Sequence, residues 1–106
     1  MSGSGGGGWA NEPSVDTCET LRETTTLNSP QKAVINLLSV GNLLDVTVSK
    51  QGKAVVVLAL YQGKVAGTIT SSIIQKLAEC IEGGHEYVAE VIELQGGACK
   101  VRIRAK

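Results

Sequence analysis

The sequence predicts a mainly β protein with one helix, a small curled antiparallel β-barrel whose elements run β-β-β-α-β-β. Three observations predict it. Apolar, β-branched runs between residues 43 and 69 are separated by short turns, Gln51-Gly52 and Gln62-Gly63, which suit tight hairpins. The apolar period then changes to a helical one from Ile73 to Ile81. Gly96-Gly97 finally divides two alternating runs.

Each element follows from its own residues. Residues 43–50 read as a strand with Leu44, Val46 and Val48 on one face. Residues 54–60, Ala-Val-Val-Val-Leu-Ala-Leu, read as a central strand buried on both faces. Residues 65–69 return as the third strand. Ile73, Ile74, Leu77, Ala78 and Ile81 then form one face of an amphipathic helix. Ser72 and Gln75 form a capping box at its start, and Gly83-Gly84 supplies its stop. Gln75, Lys76, Glu79 and Glu82 form its solvated face. Ahead of the first strand, residues 33–38 read equally as a short strand or a helical turn.

The last hairpin fixes its own register if both glycines form the turn. Leu94 with Cys99, Ile92 with Val101 and Val88 with Ala105 then share a mostly apolar face. Glu93 with Lys100, Val91 with Arg102, Ala89 with Arg104 and Tyr87 with Lys106 share the other. Glu90 opposite Ile103 is a misfit that a bulge or a sheet margin would explain. Short strands adjacent in sequence, with one helix, suit an SH3-like or OB-like barrel.

Composition sets the boundaries. Residues 1–8 are a Gly/Ser linker by composition, and 9–31 are rich in Thr, Ser, Glu and Asn without an apolar period. Residues 1–31 are therefore expected to be a disordered tail carrying an isolated Trp9, and 32–106 a single domain. The chain is formally neutral, but residues 1–40 carry a net −2 (Arg22 and Lys32 against Glu12, Asp16, Glu19 and Glu23). Residues 41–106 carry +2, eight Lys/Arg against six Asp/Glu. A general attraction to nucleic acid or membrane is not indicated. Cys18, Cys80 and Cys99 are odd in number and lack a C-x-x-C pair, so they read as small apolar residues in a reducing compartment. No apolar run reaches a membrane span, and an intracellular protein is expected.

The residues that carry chemistry are few. Nucleophilic catalysis needs a nucleophile with a base in reach. The single histidine, His85, lies in the turn after the helix without a Ser or Cys at a recognised spacing. Glu79, Glu82, Glu86, Glu90 and Glu93 form no metalloprotease or calcium-loop pattern. Gly63-Lys-Val-Ala-Gly67 ahead of the helix departs from the phosphate-binding loop order and reads as a turn and a capping segment. No catalytic residue, metal ligand or cofactor is assigned, and an enzyme is not expected.

The C-terminal run, Cys99-Lys-Val-Arg-Ile-Arg-Ala-Lys106, is different. Its strand period places Lys100, Arg102, Arg104 and Lys106 on one face. In the regular register Tyr87 lies beside them, an aromatic platform next to fixed positive charge, and Lys64 joins as a further cation. These six residues are the candidate binding set. Arg takes phosphate bidentately and a base stacks on Tyr, which points to single-stranded DNA. The alternative is a protein-interaction or homodimerisation module using the same hairpin.

Residues 41–106 also resemble the HIRAN family, small β-barrel domains found alone or fused to helicases. The resemblance runs through Gly41-Asn-Leu-Leu-Asp-Val46, Ala54-Val-Val-Val57, Gly63-Lys-Val-Ala-Gly67-Thr-Ile69, Leu77-Ala78 and Gly84-His-Glu-Tyr-Val-Ala-Glu-Val91. It implies a barrel and a DNA-related role. Ser49-Lys-Gln-Gly-Lys53 stands where the family carries its acidic-Pro-Asn segment and Asp, so the family's end-binding pocket residues do not carry over.

Overall fold

The computed structural model describes residues 15–106, and expectations on residues 1–14, including the linker and Trp9, lie outside them. The elements are α1 (Val15–Thr20), β1 (Glu23–Thr26), α2 (Lys32–Ile35), β2 (Leu43–Gln51), β3 (Ala54–Tyr61), β4 (Lys64–Ile69), α3 (Ile74–Glu82), β5 (Tyr87–Gln95) and β6 (Ala98–Ala105). The six strands form one antiparallel sheet in the order β1-β6-β5-β2-β3-β4. The predicted mainly β, curled barrel-like architecture is present, as are its five strands and helix.

The expected tail is corrected at residues 15–31. Thr24, Thr25 and Thr26 are β-branched, and they extend the sheet as β1 against β6, with Glu23 opposite Ile103 and Thr26 opposite Lys100. Composition hid this strand because it has no apolar residue to mark a core face. Leu27, the next residue, is buried. The chain then turns to the far end of the sheet. Asn28 donates its N–H to Thr68 O and accepts from Thr68 N, each at 2.8 Å. Gln31 N donates to Ala66 O at 2.8 Å. The two ends of the sheet are thus drawn together into a half-barrel with a seam at Asn28–Thr68. Residues 33–38 resolve to the helical alternative, since α2 is a single turn burying Val34 and Ile35.

The seam explains one glycine. A Cβ on Gly67 would stand 3.0 Å from Asn28 O and 3.0 Å from Leu27 Cβ. Only a residue without a side chain lets the crossing segment come this close. Gly67→Ala is expected to lose about 1–3 kcal/mol of stability, because backbone and a buried leucine must both give way. Urea denaturation checks this; a midpoint equal to the wild type would mean that the seam yields freely.

The core lies on the inner face of the sheet. Leu44, Val57, Ile69, Val91, Val101 and Ile103 are buried there, and α3 lays Leu77 and Cys80 on them. The stop of α3 is as expected, with Gly84 at φ +104° donating its N–H to Ile81 O at 3.0 Å. The expected capping box is not formed. The N-cap is Ile73, and its N–H is taken by Ser71 Oγ at 3.3 Å instead. The double burial expected of β3 is partial. Val57 and Ala59 are buried, whereas Val56, Leu58 and Leu60 on its outer face are half-buried.

Two cysteines also depart from expectation. Cys18 of α1 and Cys80 of α3 form a disulfide spanning 62 positions. An odd count concealed this pair, because its first member stood in the supposed tail. Cys99 remains a buried thiol whose pKa is raised by desolvation.

Candidate binding face

The last hairpin turns where predicted. Gly96 and Gly97 hold φ +60° and +88°, and Gln95–Ala98, Leu94–Cys99 and Glu93–Lys100 pair as expected. Beyond Glu93 the register shifts. Ile92 bulges out, and Val91 rather than Ile92 lies opposite Val101. Every later pair moves by one residue: Glu90 faces Arg102, Ala89 faces Ile103, Val88 faces Arg104 and Tyr87 faces Ala105. The shift removes the Glu90 misfit by moving that carboxylate to the outer face. It also carries Tyr87, Ala89 and Val91 inward.

This corrects the candidate set at Tyr87. Its ring is 2% exposed and belongs to the core. Its hydroxyl donates to the backbone carbonyl of Cys18, tying α1 down, and burial pushes its pKa up. It offers no stacking platform. Lys64 is also set apart. It opens β4 opposite Tyr61, with three strands between it and β6 in the sheet order.

Lys100, Arg102 and Arg104 of β6 share the outer face by their pairing, and Lys106 follows one residue beyond the strand, its N–H donating to Glu86 O at 2.9 Å. Lys100, Arg102 and Lys106 are exposed and Arg104 is half-exposed. Their neighbours differ on the two sides. Toward β5 stand carboxylates: Glu93 opposite Lys100 and Glu90 opposite Arg102. Glu90 lies 3.9 Å from Arg104, and Glu86 lies 3.5 Å from Lys106. Such exposed pairs contribute little to stability, yet they hold these two cations in place and reduce their pull on an outside anion. Toward β1 stand short hydroxyls, Thr24 opposite Arg102 and Thr26 opposite Lys100. Lys100 and Arg102 are in no ion pair among the described residues. A hollow of about 240 Å³ lined by Thr26, Glu93, Gln95, Ala98 and Lys100 lies at one end of this face.

The outer edge of β1 carries no ladder at Thr24 and Thr26, and the same edge is bonded to β4 two residues on, where Asn28 pairs with Thr68. Leu27 N donates to Cys99 O at 2.9 Å, which marks that pair as hydrogen-bonded. Antiparallel pairs alternate, so Thr25–Val101 and Glu23–Ile103 bond across the ladder, while the N–H and C=O groups of Thr24 and Thr26 point away from β6. Neither residue makes another backbone hydrogen bond among the described residues. Thr24 and Thr26 are the part of the face that sequence reasoning missed. The signal available was a β-branched triplet between Leu21 and Leu27.

His85 is half-buried after α3, its N–H donating to Cys80 O at 3.0 Å. It shares a separate hollow of about 310 Å³ with Asp45, Glu86 and Lys106. No cluster of metal-ligating side chains occurs among the described residues. No helix among them is long and apolar enough to cross a membrane. No protein-family model, curated protein or solved structure matches the chain.

Proposed function

We propose that this protein is a non-catalytic protein-interaction module that takes an extended segment of a partner onto the edge of β1. The observation that carries this reading is the pair of outward-facing backbone groups at Thr24 and Thr26. They are a ready template for a further strand, and main-chain hydrogen bonds would supply the attraction. The Cys18–Cys80 bridge bears on the setting in which the module works. Such bridges persist in oxidising environments, which favours that setting over the intracellular one suggested by the cysteine count.

The test is Thr24→Pro. Proline removes an outward N–H, and an edge strand accepts it. The inward pairs Glu23–Ile103 and Thr25–Val101 do not use that group. The variant is expected to stay folded and to lose binding of strand-forming peptides. A folded variant that binds them unchanged would overturn the reading.

The row of four cations favours a second reading, single-stranded DNA on the same face, in keeping with the HIRAN resemblance. Here the salt dependence is diagnostic. If only Lys100 and Arg102 meet phosphates, log K against log salt should slope at about −1.4; with all four cations engaged it should approach about −2.8. Charge reversal at both Lys100 and Arg102 should abolish that binding, and unchanged affinity would remove this reading.

A further inference from the structure

The geometry points to a partner segment with acidic side chains at alternate positions, seated beside β1 with those acids on the outer face. This rests on the strand-addition reading and goes further by stating the chemistry of the strand. Side chains of directly paired residues project on the same face of a sheet. Residues of an added strand opposite Thr24 and Thr26 therefore lie on the face that carries Arg102 and Lys100. The distance to β6 is two strand spacings, about 9.6 Å. Arginine or lysine reaching from one side and glutamate from the other can span it. The threonines between them are short and leave the path clear.

Charge decides the sign of the recognition. On the β5 side, Glu86 and Glu90 already hold Lys106 and Arg104. Lys100 and Arg102 remain without an ion pair among the described residues, and both have a threonine as their β1 neighbour. Each faces a glutamate across the hairpin, Lys100 opposite Glu93 and Arg102 opposite Glu90, so the two attractors are alike in this respect. The inner face differs. There an added strand meets half-buried Glu23 and Thr25, which suits small or β-branched residues between the acids. The length is set as well. Four residues of β1 are available before Asn28 turns to bond Thr68, so two outward-facing acids fit, spaced two residues apart.

The experiment uses the full chain, isotope-labelled for NMR, titrated with three synthetic peptides. The first is Val-Glu-Val-Glu-Val. The second replaces both glutamates with glutamine. The third, Val-Val-Glu-Glu-Val, has the same composition with its acids on opposite faces. The alternating acidic peptide is expected to shift the Thr24 and Thr26 amides and to bind about fivefold more tightly than the glutamine peptide and about twofold more tightly than the third. In the Lys100→Glu/Arg102→Glu variant the preference should reverse toward the glutamine peptide. Equal affinities with the Thr24 and Thr26 amides shifted by all three peptides would overturn the acidic preference and leave strand addition standing. No shift at those amides with any peptide would overturn both. Binding of oligothymidylate in place of every peptide would also overturn both, in favour of nucleic acid. The wild-type comparison decides the matter even if the double variant fails to fold.

Discussion

Opening the Cys18–Cys80 bridge, by reduction or by replacing both cysteines with serine, is expected to lower folding stability by about 4 kcal/mol. The bridge spans 62 positions, and closing a loop of that length removes chain entropy from the unfolded state on this scale. The folded state also loses the tether of α1, a helix of six residues too short to persist by itself. The Tyr87 hydroxyl on Cys18 O and the packing of Leu21 against the core would still help to hold it. Urea denaturation with and without a reductant checks this. An unchanged midpoint would show that the bridge does not constrain the chain.

The second large effect concerns the hairpin register. The bulged pairing puts Val91 inside at 0% exposure, whereas a regular ladder would put Ile92 there. Val91→Lys should therefore cost more than about 4 kcal/mol, since an unpaired ammonium would enter the core. Ile92→Lys, at the half-buried bulge, should cost far less. Denaturation of the two variants side by side decides the register. The reverse order would restore the regular ladder and return Tyr87 to the outer face.

These two features are also where the sequence was hardest to read. Wherever glycine and β-branched residues speak together the reading held: Tyr61–Lys64 and Gln95–Ala98 close their turns as predicted. Helical spacing from Ile73 to Ile81 similarly found α3. A bulge has no such local mark. Tyr87-Val-Ala-Glu-Val-Ile-Glu-Leu94 contains an apolar triplet and an apolar pair, and alternation alone allows either register. One charged residue, Glu90, held the information, because only the bulged pairing takes it out of the apolar row. β1 was hidden for another reason. Its identity as a strand comes from β6, some eighty positions later, so no window around Thr24 contains the cause. The cations at 100, 102, 104 and 106 were legible because strand period is local. Which of them are already engaged by Glu86 and Glu90 was not, since that follows from the shifted register.

The pairing of β1 with β6 has a consequence for the order in which this chain can assemble. β2, β3 and β4 meet partners a few residues away across tight turns, and β5 meets β6 in the same way. β1 has a single partner strand, and that partner is the last strand in the order of the chain. The Glu23–Ile103 contact raises the mean sequence separation of contacts, the quantity that slows the folding of β proteins. During synthesis from the N-terminus, Thr24 to Thr26 emerge before β6 exists. Until then both edges of this strand are unsatisfied, and when β6 arrives only one of them is closed.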